Sequence, residues 1–126
     1  MDRSALSSQR VPPAVGPYSQ AVRTGDLIFC SGIIGLSLDT RALVEGGLEA
    51  EVRQVLQNLA ALLEDLGSSL RAVVKTTVFL ADLGDFAAFN QIYAEYFPTD
   101  PPARSTVQVA ALPLGARIEV EAIALA

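Results

Sequence analysis

The spacing of apolar and polar residues along the chain predicts two helices. From Gly47 onward, apolar residues recur every three or four positions, which is typical of an amphipathic helix, and Gly67 is placed to end it. These residues are Leu48, Val52, Val55, Leu56, Leu59, Leu62, Leu63 and Leu66. A second stripe predicts a second helix with Asp85 at its N-cap, and its members are Phe86, Phe89, Tyr93 and Phe97.

Short runs of β-branched and apolar residues predict the strands. Residues 18–23 and 27–33 flank a turn at Gly25, which indicates a hairpin. Residues 73–80 predict a buried strand with Val74, Val78 and Leu80 on one side. Residues 117–125 alternate like a last strand. The predicted fold class is therefore α+β, with a sheet that two helices cover on one face.

The segment after the second predicted helix carries an arginine at the head of a strand. Pro101 and Pro102 cannot continue a helix, so a strand is expected to start near Ala103. Arg104 and Thr106 then share one side of it. We expect this strand to pair antiparallel with the last strand. We also expect its polar side to lie on the sheet face that the helices leave open, together with Lys75 and Glu119.

Residues 1–15 show no periodicity and read as an irregular N-terminal lead-in. We therefore assign a single domain to residues 16–126 and expect no chemistry before Gly16. The chain is 51% apolar and only 18% charged, which favours an assembly in which a second copy covers part of the surface.

Charge and composition exclude several functions. The net charge of −5 and the lack of a basic run disfavour a nucleic-acid partner. No apolar run approaches the roughly 20 residues that span a membrane, and no signal peptide is evident, so a cytoplasmic location is expected. The single cysteine, Cys30, agrees with a reducing compartment and is expected to be a small core residue.

The chain has no histidine, which removes imidazole acid–base catalysis, histidine-activated nucleophiles and histidine-ligated metals. Any chemistry must use arginine, glutamate, tyrosine, hydroxyl groups, the backbone or water. No metal site is predicted.

A set of short motifs, in order along nearly the whole chain, resembles the Rid or YjgF-type reactive-intermediate deaminases, also called the endoribonuclease L-PSP family. The motifs are Gly16-Pro17-Tyr18-Ser19-Gln20-Ala21, Ser31-Gly32, Gln57-Asn58-Leu59, Val74-Lys75-Thr76-Thr77-Val78, Asp85-Phe86, Asn90 with Tyr93, Pro102-Ala103-Arg104-Ser105 and Ile118-Glu119-Val120-Glu121-Ala122. The resemblance implies a chorismate-mutase-like fold, a homotrimer with clefts between subunits, and hydrolysis of 2-imino acids or enamines to 2-oxo acids and ammonia without a cofactor.

The resemblance also implies roles for individual residues. Arg104 would bind the substrate carboxylate through its planar guanidinium, and Glu119 would assist water. The remaining implied cleft residues are Tyr18, Ser31, Gly32, Asn90 and Thr106. Thr106 stands where many members have a cysteine, so a thiolate mechanism there is ruled out.

For several of these residues the sequence leaves a second interpretation open. Arg104 could simply reach solvent from an edge strand, and Glu119 could be an exposed strand carboxylate that pairs with Arg117 or with a cross-strand base. Asn90 could be a buried amide that satisfies nearby backbone. Glu121 lies two residues after Glu119 and could be the functional carboxylate in its place.

The chain also departs from the family pattern. Ile33-Ile34-Gly35 stands where Gln-Ile-Pro is frequent, Glu51 replaces a usual glutamine, and residues 98–101 form a short segment. The alternative functions are a non-catalytic carboxylate-binding or chaperone-like trimer and, less favoured by the charge, a ribonuclease.

Overall fold

The computed structural model describes residues 2–126 as one six-stranded mixed sheet with two α-helices on one face. In chain order the elements are β1 (Arg3–Leu6), β2 (Ala21–Thr24), β3 (Leu27–Ile33), α1 (Gly47–Asp65), β4 (Val73–Leu80), α2 (Phe86–Tyr96), β5 (Ala103–Gln108) and β6 (Ile118–Leu125). Short 3₁₀ turns lie at Leu70–Ala72, Leu83–Asp85 and Pro113–Gly115. The predicted α+β fold class is confirmed.

Helix α1 supplies much of the core. Its buried apolar residues are Val52, Val55, Leu56, Leu59, Leu62 and Leu63, as the periodicity predicts. Gly67 takes a left-handed φ of 83° just beyond the helix, and its main-chain N–H donates to the carbonyl of Glu64 at 3.1 Å. The N–H of Ser68 donates to the carbonyl of Leu63 at 2.8 Å, which completes a Schellman end.

Helix α2 buries its predicted aromatic stripe, except at its first residue. Phe89, Tyr93 and Phe97 are buried, whereas Phe86 stays exposed at the start of the helix. Asp85 lies at the N-cap position but its side chain makes no capping hydrogen bond. The preceding 3₁₀ turn gives Asp85 a nearly helical backbone, whereas capping side chains need an extended one.

The expected pairing of β5 with β6 is wrong. The strand order is β1-β2-β3-β6-β4-β5, so β6 lies between β3 and β4 and is antiparallel to both. Strand β5 is an edge strand that pairs with β4 in parallel. The connection through α2 carries the chain back to its starting end, so β5 can only run in the same direction as β4.

The strand registers also correct which side chains share a face. Arg104 and Thr106 pair with Thr76 and Val78 of β4, both of which are fully buried beneath the helices. Paired residues project to the same side of a sheet, so Arg104 and Thr106 lie on the helix-covered face and not on the open one. Their strand is at the edge, which leaves both side chains half-buried.

The open face carries the residues in between. Glu119 pairs with Phe79, which is offset by one residue from Val78 and projects to the opposite side. Lys75 lies on this open face as expected. Val74 is 42% exposed and does not share the buried side of Val78, because the register shifts between Val73 and Lys75.

The N-terminal residues are not an irregular lead-in. β1 pairs antiparallel with β2, and the segment after it is tied to the end of α1, where Ser8 donates to the carboxylate of Asp65 and Arg10 forms an ion pair with it at 3.2 Å. The domain therefore reaches back to residue 3. A four-residue edge strand takes its stability from main-chain hydrogen bonds, which leave no periodic side-chain pattern.

No helix between residues 2 and 126 is long and apolar enough to cross a membrane.

Candidate functional site

The residues that the sequence singles out for chemistry fall into two groups, which we call the arginine group and the glutamate group. The arginine group is Arg104 and Thr106 on β5 with the start of α2. The glutamate group is Glu119 on β6 with Tyr18, Ser31 and Gly32. The two groups lie on opposite faces of the sheet.

In the arginine group, the guanidinium of Arg104 lies against aromatic rings. Its central carbon is 5.5 Å from the ring centre of Phe86, 5.2 Å from that of Phe89 and 4.9 Å from that of Tyr93. These distances are within the range of cation–π attraction. Contact with ring faces fixes the plane of the guanidinium and leaves its in-plane N–H donors for a planar acceptor such as a carboxylate.

The surroundings of Arg104 contain an unused hydroxyl and no acidic partner. All ion pairs among residues 2–126 use other arginines, namely Arg10, Arg53 and Arg117. Thr106 lines the same open cleft, and its buried Oγ1 has no hydrogen-bond partner within the described residues. Buried polar atoms are rarely left unpaired, so this corner suits a polar ligand that the single chain does not supply.

In the glutamate group, Glu119 lines a cavity of about 340 Å³ together with Tyr18, Ser31 and Gly32. Gly32 lies in a β-bulge between Cys30 and Ile33, close to the side chain of Glu119. A methyl group on Gly32 would lie 2.7 Å from Cδ of Glu119, so only glycine leaves the carboxylate its place. The missing side chain of Gly32 therefore leaves the space that the Glu119 carboxylate occupies.

The carboxyl group of Glu119 is half-buried. Burial raises the pKa of Glu119, and the negative charge of Glu121 raises it further. Glu121 is exposed and does not line the cavity. Glu119 does not pair with Arg117, whose Nε lies 3.5 Å from Glu51, while its main-chain N–H donates to the same carboxylate at 2.8 Å. The interpretation of Glu119 as a strand carboxylate paired with Arg117 is therefore wrong.

Ser31 and Tyr18 are held by the loop that precedes β2. The hydroxyl of Ser31 donates to the carbonyl of Ser19 at 2.6 Å, and its lone pairs remain for a ligand. Tyr18 is half exposed at the cavity mouth, where its hydroxyl accepts from the N–H of Val15 at 3.4 Å. Both predicted residues lie beside Glu119.

Residues 11–15 also line this cavity, which contradicts the expectation of no chemistry before Gly16. Gln20 holds the segment in place: its side-chain amide accepts from the N–H of Ser8 at 2.6 Å and donates to the carbonyls of Ser8 and Pro12. The motif that contains Gln20 was visible in the sequence, but nothing in it indicated that its amide reaches an upstream segment.

Three further predicted features can be placed. Asn90 lies half-buried on α2 and lines neither of the cavities described above. Ile33, which departs from the family pattern, and its neighbour Ile34 are part of the glutamate-group cavity wall. Cys30 is buried in the core as expected, and burial raises the pKa of its thiol to about 11, so it is no nucleophile at neutral pH.

The two groups cannot act on one small molecule within a single chain. Arg104 is level with Ala122 of β6, two strands away, and Glu119 is three residues further along β6. At about 4.8 Å per strand spacing and about 3.3 Å per residue, their Cα atoms are roughly 14 Å apart and lie on opposite faces of the sheet. Within residues 2–126, no three His, Cys, Asp or Glu side chains are grouped so as to hold a metal ion.

Comparison with known proteins agrees with the motifs. The family model described as Endoribonuclease L-PSP matches residues 8–126. Reactive Intermediate Deaminase A, chloroplastic, from Arabidopsis thaliana is 49% identical over 97% of this chain, and the match spans 65% of that longer protein. The 2-iminobutanoate/2-iminopropanoate deaminase of Mus musculus is 48% identical, with 98% of this chain and 91% of that protein covered.

Among solved structures, that of E. coli TdcF with bound serine has a TM-score of 0.92 to this chain and 37% sequence identity. The match covers 98% of each chain. The fold and its strand order are therefore shared with this structure over nearly the full length.

We predict that Glu119→Gln does not destabilise the fold at neutral pH. The raised pKa means that the folded chain keeps a proton on Glu119 where the unfolded chain has released it. As pH rises from below about 4, where unfolded glutamate is protonated, through the raised pKa, ionised Glu119 lowers the free energy of unfolding. The free energy of unfolding of the variant should therefore equal or exceed that of the wild type at pH 7. The difference between the two should be smaller at pH 4.

Urea unfolding at both pH values and one protein concentration measures this, with Glu45→Gln on the exposed loop as control. A variant that is less stable than the wild type at pH 7 would contradict the electrostatic interpretation of Glu119.

Proposed function

Because the chain belongs to the endoribonuclease L-PSP family, we propose that it is a deaminase that hydrolyses reactive 2-imino acids, and their enamine tautomers, to 2-oxo acids and ammonia. Relatives at 48–49% identity carry deaminase names, which supports this activity class. The observation that carries the proposal is the half-buried Glu119 with its raised pKa at the wall of a cavity, in a chain that has no histidine.

Arg104 binds the carboxylate of the substrate. A guanidinium held flat on aromatic rings presents two parallel N–H donors, which match the two oxygens of a carboxylate. A substrate carboxylate beside Arg104 would be the acidic partner that this guanidinium lacks among residues 2–126. The serine in the TdcF structure is also an amino-acid carboxylate, which supports this class of ligand. The hydroxyl of Thr106 adds a polar contact next to it.

Glu119 acts as the base for water. A protonated imine is already electrophilic at C2, so the protein needs to deliver water and move protons. Glu119 takes a proton from the attacking water as the new C–O bond forms at C2, and then returns it to the nitrogen. The C–N bond then breaks as the C2 hydroxyl gives its proton to Glu119, so ammonia leaves and the 2-oxo acid remains. The raised pKa of Glu119 suits a group that must accept and give back one proton.

The two groups come together between subunits of a homotrimer. The roughly 14 Å separation on opposite faces supports this arrangement, because a small imino acid cannot reach both groups in one chain. The open face of the sheet also supports it, since Phe29, Val107 and Leu125 are each more than 40% exposed there. A neighbouring copy that covers this face could bring its Arg104 to the Glu119 cavity.

A non-catalytic carboxylate-binding trimer would use the same residues without turnover. It would bind 2-oxo acids and gain thermal stability without any acceleration of imine loss.

A cytoplasmic location remains a prediction; the Arabidopsis relative is named as chloroplastic.

We predict that Arg104→Ala lowers kcat/KM for 2-iminopropanoate by about 100-fold or more, because two charge-assisted hydrogen bonds to the carboxylate are lost. The kcat/KM of Arg104→Lys should lie between that of the wild type and that of Arg104→Ala, since lysine keeps the charge but not the planar pair of donors. An amino-acid oxidase generates the imine in situ, and trapping of the remaining imine as a semicarbazone follows its loss.

Arg71→Ala is the matched control, since Arg71 lines neither cavity of the proposed site. Full activity in Arg104→Ala, or no acceleration by the wild type, would contradict the proposal. Binding without acceleration would favour the non-catalytic trimer.

The pH dependence tests the role of Glu119 as base. Activity should be lost as pH falls through the pKa of Glu119, because the protonated carboxyl cannot accept a proton from water. Glu121→Gln removes the charge that raises this pKa, so the acid limb of kcat/KM should move to lower pH. Comparison with Glu45→Gln in the same assay cancels the titration of the imine itself. An unmoved limb would mean that another group controls it.

A further inference from the structure

The cavity beside Glu119 has an apolar wall. Its aliphatic members include Ile33 and Ile34 at the end of β3, Leu36 in the following loop, Leu62 of α1 and Leu114 of the turn before β6. The prolines of the N-terminal segment lie along another side. Glu119 is the one carboxylate among the lining residues. A ligand group that enters this space past Glu119 therefore meets mostly hydrocarbon.

Many of the polar side-chain groups in the wall are already engaged. The amide of Gln20 makes three hydrogen bonds to the N-terminal segment. Asn58 donates to the carbonyl of Leu36 at 3.0 Å and accepts from Gln54 at 2.8 Å. The hydroxyl of Ser31 donates to Ser19. Apart from the lone pairs of Ser31, the hydroxyl of Tyr18 and the carboxyl of Glu119, a polar ligand group placed here would find few partners to replace its water, which disfavours it relative to an apolar group.

The size of the cavity exceeds what a short side chain fills. An apolar cavity of about 150 Å³ is enough for benzene, whereas this one measures about 340 Å³. A methyl or ethyl group would leave most of that space empty. A branched aliphatic or benzyl group would contact several walls at once, and each buried methylene adds about 0.8 kcal/mol, or about fourfold in a binding constant.

We propose that this cavity receives the side chain of the substrate and makes the enzyme prefer 2-imino acids with large apolar side chains, such as those formed from leucine and phenylalanine. The inference rests on the proposed function. Glu119 must lie beside C2 to deliver water there, and the side chain begins one bond from C2, so it occupies the space next to Glu119. The departure at Ile33 contributes to this preference, since an isoleucine stands there where glutamine is frequent and adds hydrocarbon to the cavity wall beside Ile34.

The test compares imines made in situ from alanine, 2-aminobutyrate, leucine and phenylalanine, with asparagine as the polar isostere of leucine. We expect kcat/KM to rise along the apolar series and to be at least tenfold higher for the leucine-derived than for the alanine-derived imine. The asparagine-derived imine should be no better a substrate than the alanine-derived one, because its amide finds few partners to replace the water that it loses.

A matched pair of variants locates the effect. Ile34→Gln places an amide in the cavity wall and should lower the leucine-to-alanine ratio of kcat/KM by about tenfold. Leu38→Gln makes a similar change in the same loop at an exposed residue outside the wall, and the ratio should be unchanged. Thermal unfolding of both variants checks that each is folded.

The outcomes separate the two proposals. If the wild type accelerates no imine in the panel, the deaminase function fails. If it accelerates all of them and the alanine- or asparagine-derived imine reacts as fast as the leucine-derived one, the function stands and the inference about the cavity is overturned. An equal drop in the ratio in Ile34→Gln and Leu38→Gln would also overturn it.

Discussion

The pairing of β4 with both β5 and β6 is the constraint on which the functional interpretation depends. Side chains alternate across a pleated strand, so a one-residue difference in register decides which face a residue occupies. Val78 pairs with Thr106 on one side and with Val120 on the other, and this alignment commits Arg104 and Glu119 to opposite faces. The two side chains most suited to imine chemistry are therefore kept apart by the sheet.

The arginine group and the glutamate group are each suited to a partner that residues 2–126 do not supply. Within residues 2–126, Arg104 lies against aromatic rings and forms no ion pair, and the buried hydroxyl of Thr106 forms no hydrogen bond. Glu119 is half-buried next to an apolar cavity, where its charged form is disfavoured. Such features lower the stability of a fold and are typical of binding and catalytic sites. The exposed apolar residues of the open face, such as Phe29 and Val107, indicate where a second copy would pack.

The helices and the positions of most strands could be predicted from the sequence, because periodicity reports burial directly. Helix α1 is an example, whereas the start of β5 at Ala103 was indicated by the two prolines before it. The place of β5 could not be predicted, since strand order depends on the path of α2 across the sheet and no local pattern encodes that path. Arg104 was predicted on the open face for the same reason, because its strand was paired with β6 instead of β4. The N-terminal segment was missed because its hydrogen bonds to Gln20 and Asp65 span 12 and 57 residues.

The proposed active cleft combines Arg104 of one subunit with Glu119 of another. Mixing denatured Arg104→Ala and Glu119→Gln subunits in equal amounts and refolding them together tests it. Each variant alone should be inactive, but random mixed trimers should recover about a quarter of wild-type activity, since one cleft in four would receive both intact residues. Activity no greater than that of the separate variants would contradict the claim, because sites built within single subunits cannot complement each other.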